Sequence, residues 1–297
     1  MGRLLGEKKR FLIKRFKTLC CKRRLFLYIV LIYLFYQAFS WSSRNQVQSL
    51  ILDVPYHDQQ TSYFCGPASV KMVLDYTQNL EVSQDILSYE LLTDENEGVT
   101  YTELMDEPFI HRDLTQIKNG RLSLNQLKKQ MTFGYAPILL IWFDDNQEKG
   151  HYVVAVGYNE TGVFVNDPWP SYWGEPDGRG TGPFVYLSNE KLLDLWSIRR
   201  NWAMTVAFTP SENELLKVDV SISGLPEDLK TRLTLNGETV DSLNVNDKAS
   251  LIMFNNENFL SVETIVHDGD VVYYCTNNLQ RASGTKKIQF VYNLLYK

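Results

Sequence analysis

Apolar and polar residues follow helical and extended patterns in the first two thirds of the chain. After Cys65, residues 69–74 place apolar side chains at helical spacing, and Pro67 suits the first position of a helix. Residues 123–131 begin with a serine and show the pattern of a capped helix. Residues 137–143 form a continuous apolar run that is typical of a buried strand. The pattern therefore predicts two helices followed by a strand.

Two runs rich in β-branched and aromatic residues come next, at 150–158 and 163–169. A short polar turn that contains Gly162 separates them, so the two runs predict an antiparallel hairpin. Helices first and antiparallel strands afterwards are typical of an α+β fold. We place this first domain at residues 50–210.

From residue 213 onward the chain consists of short strand-like runs separated by Asn, Gly and Asp. These runs are 216–223, 232–235, 249–254, 260–266, 271–275 and 287–292. Strands this short and this closely spaced predict a small all-β, sandwich-like domain over residues 213–297. No catalytic group of residues is evident there, so we assign this domain to binding a surface partner or to a spacer role.

The N-terminal segment joins a basic stretch to an apolar one. Residues 1–24 contain ten lysines or arginines against one acid, and the 17 residues 25–41 carry no charge. That length is at the short end of a membrane span, and basic flanks stay in the cytoplasm. The pattern predicts a single-pass signal anchor, a linker at 42–49 and the remainder outside the cytoplasm. Cleavage after Ser40, as in a signal peptide, is the alternative and would release a secreted protein.

The charge of the remaining chain excludes some classes of partner. Without the first 24 residues, 20 of the 30 basic and 34 of the 35 acidic residues remain, a formal charge of −14. So acidic a protein has no electrostatic footprint for nucleic acid. No His, Cys, Asp and Glu spacing fits a zinc site, and no phosphate-binding glycine loop or dinucleotide fingerprint occurs. We therefore expect no nucleic-acid partner, no metal and no cofactor.

Cys65 is the strongest candidate for chemistry because it stands where a loop becomes a helix. A thiol at that place faces unpaired backbone N–H groups and the positive end of the helix dipole, and both favour the nucleophilic thiolate. A buried structural cysteine is the alternative. The hairpin supplies the groups that cysteine catalysis needs, since His151 begins its first strand and Asp167 follows its second. An imidazole can take the thiol proton, and a carboxylate can fix the imidazole's orientation.

Several short motifs together resemble a known family. They are Asp53-Val54-Pro55-Tyr56, Gln59 six residues before Cys65, Cys65-Gly66-Pro67-Ala68, Gly150-His151-Tyr152 and Asn166-Asp167-Pro168. On these residues the chain resembles the papain-like cysteine peptidases of the bacteriocin-processing, double-glycine leader peptidase type. It is most similar to their stand-alone, peptidase C39-like relatives, over roughly residues 50 to 210. The local signature of papain itself, Cys-Gly-[Ser/Ala]-Cys-[Trp/Tyr], is absent.

The resemblance implies a papain-like fold and a role for each matching residue. Cys65 is the implied nucleophile, His151 the general base and Asp167 the acid that orients the imidazole. Gln59 is the implied oxyanion-hole donor, with Gln60 as the competing candidate. A single amide donor to the oxyanion is typically worth about 3 kcal/mol of the barrier.

The sequence thus predicts a membrane-anchored, extracytoplasmic cysteine peptidase that hydrolyses peptide or related amide bonds in a peptide or protein substrate. The same triad would also serve an amidase or an acyl transferase. The loop after the hairpin contains Trp169, Tyr172 and Trp173, which we interpret as a substrate platform, with packing over the hairpin as the alternative.

Two other classes of function compete with the peptidase. One is a non-enzymatic module that binds a peptide or a surface partner on the same papain-like fold. The other is a structural surface protein in which Cys65 forms a disulfide with Cys275.

Overall fold

The computed structural model describes residues 49–114, 116–176, 179–207, 215–254, 258–282 and 287–296. Its helices are α1 (Cys65–Gln78), α2 (Gln84–Glu90), α3 (Glu107–Ile110), α4 (Leu124–Thr132) and α5 (Asn189–Leu195), with short 3₁₀ helices at Thr102–Leu104, Ser171–Trp173 and Ile198–Arg200. The strands before residue 208 are β1 (Ser49–Ile51), β2 (Ile117–Arg121), β3 (Ile138–Trp142), β4 (Gly150–Asn159), β5 (Gly162–Asp167), β6 (Gly182–Ser188) and β7 (Trp202–Val206). The strands after residue 214 are β8 (Leu215–Ser223), β9 (Thr231–Leu235), β10 (Glu238–Leu243), β11 (Lys248–Phe254), β12 (Phe259–Val262), β13 (Ile265–Asp268), β14 (Val271–Cys275), β15 (Leu279–Arg281) and β16 (Lys287–Tyr296).

These strands form a 12-stranded sheet and a 4-stranded sheet. The order of the large sheet is β13-β14-β16-β8-β11-β2-β7-β3-β4-β5-β6, and β1 pairs with β4 outside this path. From β2 to β6 every neighbouring pair is antiparallel. One parallel pairing, Leu251 with Arg121, joins β11 to β2 and so connects the last third of the chain with the first part. Residues Ser49–Lys297 form one compact unit.

The helices begin and end at residues whose chemistry explains the boundary. Ser123 accepts a hydrogen bond from the backbone N–H of Gln126, which caps α4 as the serine pattern predicted. Helix α1 ends at Gln78, and the next residue, Asn79, still donates its N–H to the carbonyl of Asp75, while its left-handed backbone (φ 52°) turns the chain out of the helix. The predicted helices and the strand β3 are confirmed, as is the prediction of a mixed fold with helices followed by antiparallel strands.

The hairpin of β4 and β5 positions the candidate site. Asn159 ends β4, and its side-chain oxygen accepts the backbone N–H groups of Thr161 and Gly162 at 2.9 and 2.8 Å. This side-chain turn reverses the chain in two residues and fixes the register of the strands that follow. Strand β4 is buried along nearly its whole length because α1 packs on one face of the sheet there.

The described part of the protein contains two hydrophobic cores. The first lies between α1, α4 and the strands β3, β4, β5 and β7, and also includes Ile252 and Phe254 of β11. The second lies among β8–β16, between the end of the large sheet and the four-stranded sheet β10-β9-β12-β15. The domain boundary predicted between residues 210 and 213 falls in the segment 208–214, outside the described residues.

One predicted strand is wrong in its extent. The run 260–266 divides into β12 and β13, which belong to different sheets. Leu260 pairs with Leu235 of β9, whereas Val266 pairs with Tyr273 of β14. The apolar run is continuous in sequence, but its two halves have different partners, so the backbone bends between them.

The predicted anchor at residues 25–41 lies outside the described residues, as do the basic segment 1–24 and the linker up to residue 48. Within the ranges that the structure describes, no helix combines the length and the apolar character needed to cross a membrane.

Candidate active site

Cys65 is the first residue of α1, so the helix begins two residues before Pro67, which was predicted as its first position. The prediction that the cysteine lies where a loop becomes a helix is confirmed. Phe64 precedes it as the helix N-cap and offers no capping side chain, so the first turn keeps unbonded N–H groups near the thiol. The thiol is partly accessible, and neither Cys65 nor Cys275 forms a disulfide. Cys275 lies buried in the second core. The proposed Cys65–Cys275 bridge, and the structural role that depended on it, are therefore wrong for this structure.

His151 stands between the thiol and a carboxylate. It is the second residue of β4, while Asp167 is the last residue of β5, and the antiparallel pairing brings the two side chains together. The Nε2 of His151 lies 2.7 Å from Oδ1 of Asp167. Cys65 acts on His151 from the other side and helps to raise the pKa of the imidazole, and since Nε2 faces the carboxylate, Nδ1 is the nitrogen left for the thiol. The structure thus brings together the three residues that the sequence singled out.

Asp167 is held by more partners than His151. The carboxylate is fully buried, and its Oδ1 also accepts the backbone N–H of Trp169 at 3.0 Å. Its Oδ2 accepts from Nη1 of Arg179 at 2.7 Å, and Nη2 of that arginine donates to the carbonyl of Phe143 at 3.1 Å. Buried carboxylates are tolerated when each oxygen has a charged or N–H partner, and that condition is met here.

Burial and mutual attraction act in opposite directions on the two titratable groups. For Asp167, burial alone would raise the pKa, but His151, Arg179 and the N–H of Trp169 bring the pKa below its ordinary value. For His151, burial alone would lower the pKa, but Asp167 and Cys65 raise the pKa to about 9. His151 can therefore hold a proton taken from Cys65 while Asp167 stays ionised at neutral pH.

The two glutamines before the cysteine have different surroundings. Gln59 is buried, its backbone N–H donates to the carbonyl of Pro168 at 2.8 Å, and its Nε2 donates to the carbonyl of Thr61 at 2.8 Å. The same Thr61 carbonyl accepts the N–H of Phe64, the N-cap of α1. The side-chain amide of Gln59 and the N-cap residue of α1 thus share one acceptor, the carbonyl of Thr61. The second N–H of the Gln59 amide remains for another acceptor. Gln60 is exposed and bonds Gln84 through its backbone.

The aromatic loop after β5 extends outward from the imidazole. The ring of Phe143 packs edge-on against His151, with 5.3 Å between the ring centroids, and against Trp169, with 4.8 Å between the centroids. Trp169 contacts Trp173 at 5.0 Å, and Trp173 contacts Tyr172 at 5.9 Å. Trp169 is half-buried and donates its indole N–H to the carbonyl of Gly174, whereas Tyr172 is 76 % exposed. The loop therefore both packs over the hairpin and presents aromatic surface to solvent.

Two contacts of the site were not found from the sequence. Arg179 stands alone in a polar loop with no periodic or motif signal, and only the approach of that loop to β5 makes it a partner of Asp167. Thr100 packs against Gly66, next to Cys65, and its carbonyl accepts the hydroxyl of Tyr152 at 2.9 Å. In the described ranges no group of three or more His, Cys, Asp and Glu side chains could hold a metal ion.

Comparison with known proteins agrees with the resemblance read from the sequence. Residues 51–179 match the profile described as the Peptidase C39-like family. This segment contains Cys65, His151, Asp167, Gln59 and Arg179. The match agrees with the suspected classification over residues 51–179 and supports a cysteine-type peptidase activity for that segment. Among curated proteins, none is significantly similar to the chain.

Solved structures show weaker similarity. A C39-like peptidase from Bacillus anthracis is 17 % identical with a TM-score of 0.41, covering 54 % of this chain and 98 % of that one. The peptidase domain of Streptococcus ComA, a bifunctional ABC transporter, is 17 % identical with a TM-score of 0.40, covering 50 % and 96 %. A double-glycine motif protease of an AMS/PCAT transporter, solved with a leader peptide, is 18 % identical with a TM-score of 0.39, covering 55 % and 100 %. TM-scores this low do not establish a shared function, so the classification depends on the family match.

Proposed function

We propose that this chain, whose residues 51–179 match the Peptidase C39-like family, cleaves peptide bonds through a triad of Cys65, His151 and Asp167. The observation that carries the proposal is the position of His151, whose Nε2 lies 2.7 Å from Asp167 and whose pKa Cys65 also raises. A nucleophile, a base and an orienting acid in contact are the arrangement that thiol hydrolysis requires.

The reaction proceeds in two stages. Nδ1 of His151 takes the thiol proton, the sulfur bonds the substrate carbonyl carbon, and the carbonyl electron pair moves to oxygen. The free N–H of Gln59 and the backbone N–H of Cys65 stabilise that oxyanion. The C–N bond then breaks as the imidazolium gives its proton to the leaving amine. In the second stage water attacks the acyl carbon of the thioester, giving its proton to His151 and its hydroxyl to that carbon. The C–S bond breaks, and the imidazolium returns the proton to the sulfur, which restores the thiol.

The decisive experiment compares two cysteine variants of the 297-residue chain. Cys65→Ala is expected to abolish cleavage of a fluorogenic peptide library and labelling by a thiol-directed peptide probe. Cys275→Ala is the matched control, since that thiol lies in the second core and its loss is expected to leave cleavage unchanged. Cleavage that survives in Cys65→Ala would remove this residue from the mechanism. Binding of library peptides by the unaltered chain without any cleavage would instead favour the non-enzymatic binding module.

We extend the proposal to the exposed rings of the aromatic loop as a substrate platform. Tyr172 and Trp173 are 76 % and 38 % exposed and connect through Trp169 and Phe143 to His151. Replacing Tyr172 with Ala is expected to raise KM while leaving kcat nearly unchanged, because the ring would contribute binding and not chemistry. Tyr89→Ala, which removes another highly exposed ring (81 %), is the control. An equal KM in Tyr172→Ala and the unaltered chain would assign the ring to packing.

We also propose that the segment 25–41 anchors the enzyme, with the basic residues 1–24 in the cytoplasm and the catalytic domain outside. The support is the uncharged 17-residue run and its basic flank. Protease protection of intact cells would test it, since externally added protease should degrade everything after residue 41. A mature chain beginning at Trp41 would show that the segment is cleaved and the enzyme secreted.

For β8–β16 we propose a sandwich-like binding or spacer domain. Two sheets enclose one core there, separate from the core beneath the triad. Crosslinking on intact cells, with the chain carrying a photoreactive residue at exposed Leu294, would identify a surface partner. If the residue crosslinks only to lipid, or forms no crosslink, the spacer role is favoured.

A further inference from the structure

A second buried cation lies against the proposed triad. Arg179 has a side chain only 7 % exposed, and it meets the fully buried carboxylate of Asp167 on the oxygen that His151 does not use. Its other Nη is fixed by the carbonyl of Phe143, whose ring packs on His151. The guanidinium is therefore anchored at two points, the carboxylate of Asp167 and the carbonyl of Phe143.

The charge balance of the site changes when this arginine is included. When the S–H bond of Cys65 breaks and an N–H bond forms on His151, the site holds a thiolate and an imidazolium beside the carboxylate of Asp167. These three groups carry a net charge of −1, and the guanidinium of Arg179 brings the sum to zero. A buried group of charges is far less costly when it is neutral overall.

The charged and titratable neighbours of each group are few. Cys65 from α1 and Asp167 from β5 face the imidazole, and Phe143 covers it with an uncharged ring. His151 and Arg179 face the carboxylate, while the hydroxyl of Tyr56 contacts the backbone carbonyl of Asp167 at 3.1 Å. The guanidinium is thus the cation that offsets the pull of Asp167 on the imidazolium.

We propose that Arg179 is a positioning residue that holds Asp167 by one oxygen and, by partly neutralising it, keeps the imidazolium of His151 acidic enough to protonate the leaving amine. The proposal rests on the proposed function, because it concerns the proton-transfer step of the same triad. An imidazolium facing an uncompensated carboxylate holds its proton more tightly and is a poorer general acid near neutral pH. The arginine therefore acts on the reaction through Asp167, without contact with the substrate.

A purely structural role makes the opposite prediction. If Arg179 only pinned its loop, removing it would loosen Asp167, weaken the contact with His151 and lower the pH at which the imidazole titrates. If it offsets the charge of Asp167, removing it raises that pH. The direction of the change therefore separates the two roles.

The experiment follows the titration of His151 and the kinetics together in the 297-residue chain. NMR of isotope-labelled histidine resolves the four imidazoles, and the signal lost in His151→Gln assigns the one of interest. In Arg179→Gln the midpoint is expected to rise by about half a pH unit or more, and kcat at neutral pH to fall about three- to tenfold with little change in KM. Arg179→Lys, which keeps the charge, should return the midpoint and most of kcat. Arg232→Gln, an exposed arginine paired with Glu263, is the matched control.

Each outcome decides the proposal. A higher midpoint in Arg179→Gln that Arg179→Lys reverses would support it, and an unchanged or lower midpoint would overturn it. Failure of the proposed function has a different signature, namely unchanged peptide cleavage in Cys65→Ala, or no cleavage by the unaltered chain. The histidine titration needs no substrate, so it tests the effect of Arg179 on His151 even in that case.

Discussion

Replacing Gly66 with alanine tests how tightly the start of α1 is packed against its neighbour. A Cβ at this position would lie 2.6 Å from Oγ1, 2.8 Å from Cβ and 2.9 Å from Cγ2 of Thr100. Thr100 is not free to move away, since Thr93 bonds its hydroxyl at 2.9 Å and the hydroxyl of Tyr152 bonds its carbonyl at 2.9 Å. The helix or the segment around Thr100 must therefore shift.

Two effects of known size compete in this variant. Alanine in place of glycine in a helix normally stabilises a protein by about 0.5–1 kcal/mol. Forcing extra atoms into a packed contact typically costs about 1–3 kcal/mol. Because the contact is with a fixed side chain, we expect the clash to win, with a net loss of about 1 kcal/mol in the free energy of unfolding. Activity should fall more steeply, since Cys65 is the adjacent residue and a shift of about 1 Å at a reacting group can cost about 100-fold.

Urea unfolding followed by circular dichroism measures the free energy, and peptide cleavage measures the activity. Gly180→Ala is the matched control, because that glycine is exposed and an added Cβ would contact nothing. In the Gly66→Ala background, Thr100→Gly removes all three clashing atoms and should restore part of the loss, whereas Thr100→Ser keeps the two closest and should not. A Gly66→Ala variant as stable as the unaltered chain, or no coupling to Thr100→Gly, would refute the reasoning.

Three further predictions concern the triad and the second core. Asp167→Asn leaves the buried guanidinium of Arg179 without its anion, so the free energy of unfolding should fall by about 3–5 kcal/mol. The value of kcat should fall by a factor of about 10²–10⁴, and full activity in this variant would exclude the orienting role. The pKa of His151 in the folded protein is raised to about 9, above the unfolded value of about 6.5. Its ion pair with Asp167 therefore stabilises the fold fully below about pH 6.5, and this stabilisation is lost as the pH rises through about 9. The urea midpoint should therefore decline over that range in the unaltered chain, and a flat midpoint would contradict the ion pair. Tyr292→Phe removes both hydrogen bonds of the tyrosine hydroxyl, with Thr231 (2.6 Å) and with the carbonyl of Glu263 (2.5 Å), so unfolding free energy should fall by about 1–3 kcal/mol. Peptide cleavage should stay unchanged, and altered cleavage would show that the second core reaches the site.

Much of the site could be predicted because its signals are local. The helix after Cys65 follows from apolar spacing over a few residues, and the hairpin of β4 and β5 follows from two strand-like runs around a short turn. Once the hairpin is predicted, antiparallel pairing by itself brings His151 close to Asp167. Family motifs then suggest roles for the same residues, and the family match over residues 51–179 agrees with the resemblance.

Other features had no local signal. The run 260–266 looks like one strand, yet its halves pair with β9 and β14 in different sheets. Burial separates Gln59 from Gln60, although the two residues are adjacent and chemically identical. Each difference depends on which distant segment packs against the residue or pairs with it. Residue type and periodicity do not determine that partner.

Residue order alone was enough to single out Cys65, His151 and Asp167 as one candidate site, because a helix start and a hairpin are made by neighbours in the chain. Tertiary packing decided that Oδ2 of Asp167 meets Arg179 and that Thr100 closes against Gly66. The physical reason is that a buried charge must find an opposite charge wherever the fold provides one, and a glycine beside the nucleophile is required only once another segment packs there.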